Sequence, residues 1–310
     1  MINHHPVMLD EVIDMLITDS DGIYVDCTVG FGGHSEAILK KISKKGFLIG
    51  TDLDPYALNK AREKLLKVEN KNFALYNASY KEIPEILLKL GIKKVNGFLF
   101  DLGISSYQVN SEHRGFSYLK EGPLDMRFNQ NINQTAKEYF DNISEIELAK
   151  TIKIYAEIAK SKKIAKEILV KNNKGKMHTT IDLKNAIINA TGVKGNKILS
   201  KVFQAIRIGV NEEIFNFKNT LKKTPHFLKN GGRLAIISFH SIEDRIVKHF
   251  FKNSILINEF DYYNQSSNKI DTNLKEITKK PICPSIQEIS RNRRSRSAKL
   301  RVAEYLNEKN

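Results

Sequence analysis

The stretch IYVDCTVGFGGHSEAIL, residues 23–39, followed by GFLIGTDLDP at 46–55, decides the fold. An apolar run reaches Asp26, a glycine-rich turn holds Gly30, Gly32 and Gly33, and a helix pattern follows. A second apolar run then closes on Asp52. Glycines at such a turn let the backbone approach a ligand, and a carboxylate ending the second strand can accept bonds from a ribose diol. An adenosine-type cofactor is therefore expected. A dinucleotide site would carry G-x-G-x-x-G, but here Ser35 stands in place of the third glycine, and Asp26 and Thr28 precede the turn. An acid there repels a pyrophosphate and suits an ammonium and a sulfonium, which favours S-adenosylmethionine over NAD. A tight turn with no ligand is the plain alternative.

Outward from this turn, strand and helix patterns alternate. Strands are predicted at Tyr24–Cys27, Phe47–Thr51, Asn72–Tyr76 and Gly97–Asp101, with helices starting at Ser35, Pro55 and Tyr80. That succession predicts an α/β, doubly wound parallel sheet with ligands at the C-terminal strand ends, where Asp26, Asp52 and Asp101 fall. After Asp101 comes a long polar loop, LGISSYQVNSEHRGFSYLKEGPLDMRFNQ, and then residues 134–205 read as helix throughout, with Thr135 and Ser144 as N-caps. Asp54 is read as the cap of the helix at Pro55. The α/β pattern returns with a fifth strand at Arg233–Phe239, and NQSSNKIDTN at 264–273 reads as a mobile loop. The domain reading is a discontinuous α/β domain, 1–107 and 206–310, interrupted by a loop and helical insert at 108–205.

The chain has 50 Lys and Arg against 35 Asp and Glu, a formal charge of +15, which suggests a polyanionic partner such as nucleic acid. Arginine is the more telling cation, because Arg291, Arg293, Arg294, Arg296 and Arg301 crowd into RNRRSRSAKLR with no acid among them. Guanidinium groups pair bidentately with phosphate, so this run is a candidate RNA contact. Cys27 and Cys283 are the only cysteines, which excludes a disulfide framework and a cysteine zinc site; no metal is expected. No apolar run approaches the length of a membrane helix and no leader pattern is evident, so no membrane association and a cytoplasmic location are expected.

The ordered motifs HHPVML, DCTVGFGGHS, GTDLDP, FDLGISSYQ, RGFSYLKEGPLDMR, FQAIRIGVNEE, GGRLAIISFHSIEDR and SRSAKLR resemble those of the RsmH (MraW) family. These ribosomal RNA small-subunit methyltransferases modify N4 of a specific cytidine in 16S rRNA. The resemblance runs from His5 to about Ala303. It implies a class I methyltransferase fold with an inserted helical domain, S-adenosylmethionine as cofactor, and 16S rRNA of the small subunit as partner; a homodimer is compatible with it. The family's cofactor contacts fall on Gly32, Gly33 and His34, on Asp52, on Tyr80 beside the adenine, on Asp101 and on Gln108. Tyr107 stands where the family often has proline.

Methyl transfer to an exocyclic amine whose lone pair is delocalised depends on in-line positioning. A hydrogen-bond acceptor on the amine favours its nucleophilic geometry, and a proton must leave afterwards. The D/N-P-P-Y/F turn of many amino-methyltransferases is absent; the chain reads Asp101-Leu102-Gly103-Ile104. Asp101 and His240 are the catalytic candidates, with water a third proton acceptor, and the sequence does not choose among them. An extruded base would find Tyr107, Phe116, Tyr118 and Phe128 in the loop after strand four, with Arg114 and Arg127 as RNA contacts. For each, a plain structural role is the alternative: a core tyrosine at 80, a loop-fixing His240, aromatics that pin the loop. An NAD-linked oxidoreductase would leave the arginine tail unexplained, and a non-catalytic RNA-binding factor would leave the glycine turn and Asp52 idle.

Overall fold

The computed structural model describes residues 6–130, 134–256 and 272–307. α1 (Leu9–Leu16) leads into β1 (Ile23–Asp26), α2 (Gly33–Lys41), β2 (Phe47–Asp52), α3 (Pro55–Leu65), β3 (Phe73–Asn77), α4 (Ile83–Lys89) and β4 (Val95–Asp101). The four expected strands all form, and β1, β2 and β4 each end on the acid that the sequence placed there. β1 and β4 are buried almost throughout, as a strand covered on both faces must be, hence their continuous apolar runs. Asp54 caps α3, accepting from the Tyr56 and Ala57 amides, with Pro55 in the first turn.

The chain divides into two compact units, 1–103 with 215–310, and 104–214. The sequence boundaries at 107/108 and 205/206 differ from these. α5 (Ser106–Asn110) passes through the first, and α10 (Asn196–Asn211) runs unbroken through the second. The all-helical insert comprises α5, α6 (Ala136–Asn142), α7 (Glu145–Ala156), α8 (Ser161–Asn173), α9 (Thr180–Thr191) and α10. Leu148, Ile152, Ile164, Ile168, Leu183, Ile187, Val202 and Ile206 are among its fully buried side chains, at the three- and four-residue spacing of amphipathic helices. Thr135 and Ser144 form capping boxes with Glu138 and Glu147.

The α/β unit resumes with α11 (Glu213–Lys223), β5 (Leu228–Ser238), α12 (Ser241–Asn253), β6 (Leu274–Glu276), α13 (Ile286–Arg291) and β7 (Lys299–Tyr305). The sheet order is β3-β2-β1-β4-β5-β7-β6. Pairings from β3 through β5 are parallel, while β7 runs antiparallel to both β5 and β6. Sequence reading missed β6 and β7. β7 was masked by its basic character, yet Leu300, Val302 and Ala303 are fully buried. The stretch 264–273 lies, apart from its last two residues, outside the described residues.

Gly32 caps α2 with φ +76°, and a Cβ there would stand 3.0 Å from the Ala61 Cβ. Gly30 has φ +52° but meets nothing within 4 Å. Gly32→Ala is therefore expected to lower the unfolding free energy by about 2–3 kcal/mol, combining left-handed strain with a helix–helix clash. Gly30→Ala should cost only about 1 kcal/mol, the left-handed conformation alone. Urea denaturation of the two variants checks the difference.

Candidate active site

The turn after β1 is held from below by its own acid. Asp26 is buried; its carboxylate accepts from the Thr28 amide at 3.1 Å and from the Ser35 hydroxyl at 2.6 Å. Ser35 thus replaces the third glycine with a bond from helix to strand. Asp26 is 1% exposed, and its two oxygens tie the turn and α2 to the end of β1. Burial raises its pKa, partly offset by the Ser35 bond. Thr28 continues the chain of contacts: its Oγ1 accepts from the Asp101 amide at 2.7 Å, tying the end of β4 to the turn.

Asp52 stands beside the turn. Its Oδ2 accepts from the Gly30 amide at 2.6 Å and its Oδ1 from the Asp54 amide at 2.8 Å. Each oxygen keeps a second lone pair for a ligand hydroxyl. Burial pushes its pKa up to about 6 despite those two amides. Tyr80 begins a 3-10 turn after β3, and its ring lies edge-on to Phe100 at 5.8 Å between centroids.

Asp101 closes β4. Burial raises its pKa to about 7, opposed by the Gly103 amide and reinforced by Glu243. Its Oδ1 is buried without a hydrogen-bond partner, and its Oδ2 lies 3.7 Å from His34 Nδ1. His34 is buried on α2, and its Nε2 contacts the Val7 carbonyl at 2.9 Å. Its imidazole therefore faces protein on both sides, and any contact to a ligand from the Gly32–Gly33–His34 segment falls to the backbone.

His240 is the N-cap of α12. Its Nδ1 accepts from the Glu243 amide at 3.4 Å, while Glu243 returns bonds to the Phe239 and His240 amides. Nε2 sits 2.9 Å from Glu243 Oε1 without hydrogen-bond geometry. The loop-fixing alternative describes this histidine. The H-x-x-E spacing at 240–243 carried that signal as a capping-box pattern.

In the helical unit, Gln108 closes a capping box with Ser105, accepting from its amide at 3.1 Å. Arg114 is buried and donates to the Arg127 and Phe128 carbonyls at 2.9 and 2.8 Å. Arg127 makes a bidentate pair with Asp125, both bonds 2.9 Å. Phe116 stacks on Phe128 at 5.7 Å, and Tyr118 meets Phe203 edge-on. Asn211 accepts from the Phe128 amide and donates to the Met126 carbonyl. The expectation that Arg114 presents itself to RNA gives way here, because it is buried inside this loop, whereas Arg127 is partly exposed beside Asp125.

The arginine tail is divided. Arg291, Arg293 and Arg296 are exposed, and Arg294 is half-buried, with its pKa lowered by desolvation. Arg301 is only 4% exposed, within β7; its Nε donates to Asp244 Oδ1 at 2.6 Å, and Lys299 takes the other oxygen of Asp244 at 2.9 Å. Arg301 is thus a structural cation and not the RNA contact expected of it: the acid that neutralises it lies 57 residues earlier, on α12.

The residues of the α/β unit fit S-adenosylmethionine on three counts. The space over Gly30 is open, Asp52 retains acceptor capacity, and Asp101 carries an orphaned buried oxygen. A sheet wound in this order, with β7 alone reversed, is that of the class I methyltransferases, which use this cofactor, and the expected fold class and cofactor are those found. The chain belongs to the MraW methylase family, whose model matches residues 1–306. It is 44% identical over 310 residues to the ribosomal RNA small subunit methyltransferase H of Caldicellulosiruptor bescii, covering 98% of this chain and 99% of that protein. The protein of the same name from Thermosipho africanus is 45% identical over 308 residues, covering 98% of each chain. That from Clostridium botulinum is 44% identical over 307 residues, covering 96% and 97%. No described helix is long and apolar enough to cross a membrane, and among the described residues no cluster of three metal-ligating side chains occurs.

Proposed function

We propose that this methyltransferase acts on N4 of a cytidine in 16S rRNA of the small ribosomal subunit. The observation that carries the reading is similarity over essentially the whole chain, site and insert together, to proteins named ribosomal RNA small subunit methyltransferase H. When bound, S-adenosylmethionine supplies an electrophilic methyl group on its sulfonium. Asp52 would accept from the ribose hydroxyls, the backbone of Gly32, Gly33 and His34 would border the methionine portion, and Tyr80 would complete the cofactor contacts of the α/β unit. Asp101, partly exposed at the end of β4, receives a hydrogen bond from the target amine and then its proton. His240, by capping α12, fixes the loop after β5; acting as a base at Nδ1 would require giving up that cap.

Of the arginines, Arg291, Arg293 and Arg296, with the half-buried Arg294, are the proposed phosphate contacts. Residues three apart eclipse in a 3-10 helix, so Arg293 and Arg296, both in the turn Arg293–Ser297, share one side. The double variant Arg293→Gln/Arg296→Gln is expected to weaken small-subunit binding by about 10-fold or more and to reduce the salt slope of log affinity by about 2. Filter binding across a salt series measures both.

The test of the reading is methyl incorporation from labelled S-adenosylmethionine into isolated small subunits, followed by mass spectrometry of the nucleosides. N4-methylated cytidine is the expected product. Label on another nucleoside, or none, would overturn it.

A further inference from the structure

His34 was expected at the cofactor, yet its side chain is 5% exposed and turned inward. The Val7 carbonyl can only accept a hydrogen bond, so the 2.9 Å contact fixes the proton of a neutral imidazole on Nε2. Nδ1 is then left with a bare lone pair. That lone pair stands 3.7 Å from Asp101 Oδ2, beyond a hydrogen bond and within ion-pair reach. The other Asp101 oxygen, Oδ1, is buried with no partner.

We propose that His34 is a positioning residue for Asp101, presenting its Nδ1 lone pair to Oδ2 and so favouring the carboxyl that forms when Asp101 takes up a proton. The proposal rests on the methyl-transfer reading for the source of that proton. In the step, an N–H bond of the methylated amine breaks and its electron pair stays on nitrogen. The proton passes to the Asp101 carboxylate and leaves from there to solvent; no further reactant is needed.

The groups acting on His34 are Asp26 from β1, Asp101 from β4 and Glu288 from α13; those acting on Asp101 are His34, Glu243 from α12 and Asp26. Burial lowers the basicity of His34, opposed by Asp26, the Val7 carbonyl and Glu288. Burial raises Asp101 to about 7. The ordinary order of the two proton affinities is thereby reversed, so that the proton rests on Asp101 and the Nδ1 lone pair stays bare beside it. The far side of His34 is anchored as well. Pro6 packs on Gly33, where a Cβ would stand 3.0 Å away, and the Met8 amide donates to Glu288 at 2.9 Å, so the carbonyl that sets the tautomer is itself held.

Imidazole 15N NMR on the full-length protein tests this without any substrate. The neutral His34 is expected as the Nε2–H tautomer, and its Nδ1 shift should move as Asp101 titrates through about 7, a response that Asp101→Asn removes. An Nδ1 shift that is flat through that window, or an Nδ1–H tautomer, would overturn the proposal. His34→Gln provides a second route, since its amide can still donate to Val7 but has no basic atom in the place of Nδ1. It is expected to keep wild-type thermal stability while the pH midpoint of single-turnover methylation moves by half a unit or more; an unmoved midpoint would refute the role. Should the wild-type protein fail to methylate small subunits, the methyl-transfer reading alone falls, and the titration still decides for or against His34.

Discussion

Asp101→Asn is expected to slow single-turnover methylation of small subunits by about 10²-fold or more, the usual scale for removing a positioned proton acceptor. Asparagine keeps one carbonyl oxygen and much of the side chain's shape, so the backbone bond from Asp101 to Thr28 Oγ1 is undisturbed. What disappears is the capacity to carry the proton away. The pH dependence separates this from general damage. Burial holds the Asp101 carboxyl at about 7, so the wild-type rate should climb as pH rises through 7 and the carboxylate forms. The variant should lack that limb. The sign for stability is the reverse: an acid whose folded pKa exceeds its unfolded value of 3.8 favours the folded state most at low pH, and that contribution is lost as pH rises from about 4 towards 7. Acquiring the carboxylate for chemistry thus works against the fold. Rate–pH profiles and urea midpoints on the same samples measure both signs.

Asp52→Asn is expected to weaken binding of S-adenosylhomocysteine by about 10²-fold by calorimetry. In the native site both carboxylate oxygens already face backbone donors, Gly30 N–H at 2.6 Å and Asp54 N–H at 2.8 Å. An amide must turn its NH2 group toward one of them, setting donor against donor, and it offers a ribose diol only one weaker acceptor. The lost charged hydrogen bond and the misplaced amide together amount to about 3 kcal/mol. With the Asp52 carboxyl raised to about 6 by burial, wild-type affinity should decline as pH falls through 6, and the variant should be flat in that window. An Asp52→Asn protein that binds within threefold of wild type would remove Asp52 from the cofactor site.

The sheet was legible because its physics is local. Four short apolar runs stop at Asp26, Asp52, Asn77 and Asp101, and each stop is written in the sequence beside its strand. Caps were legible for the same reason: Asp54, Thr135 and Ser144 each sit within three residues of the amides they serve. The partnerships that assemble the motifs were not. Arg301 finds Asp244 across 57 residues, Asp101 finds Thr28 across 73, and Asn211 finds the Arg114–Phe128 loop across more than 80. An arginine awaiting a distant acid looks, in a one-dimensional reading, like an arginine awaiting phosphate. The paired motifs RGFSYLKEGPLDMR with FQAIRIGVNEE, and SFHSIEDR with SAKLR, are therefore each two halves of one contact. In the first, Arg207 pairs with Glu213 at 2.8 and 2.9 Å while Asn211 binds the loop; in the second, Asp244 takes both Lys299 and Arg301.

The interruption of the sheet between β4 and β5 has a consequence for how the chain is made. These neighbours pair in register, Phe98 with Leu234 and Phe100 with Ile236, yet the whole of the 104–214 unit is threaded between them. Synthesis proceeds from the N-terminus, so β1 to β4 emerge as a complete parallel half-sheet long before β5 exists. Until then β4, buried from end to end in the finished protein, has an open apolar edge. β7 arrives last and enters between β5 and β6, bringing Arg301 to an acid already in place on α12. The arginine-rich turn, just ahead of β7, is thus translated after the other strands of the sheet, and the protein gains its proposed grip on RNA only as that sheet is completed.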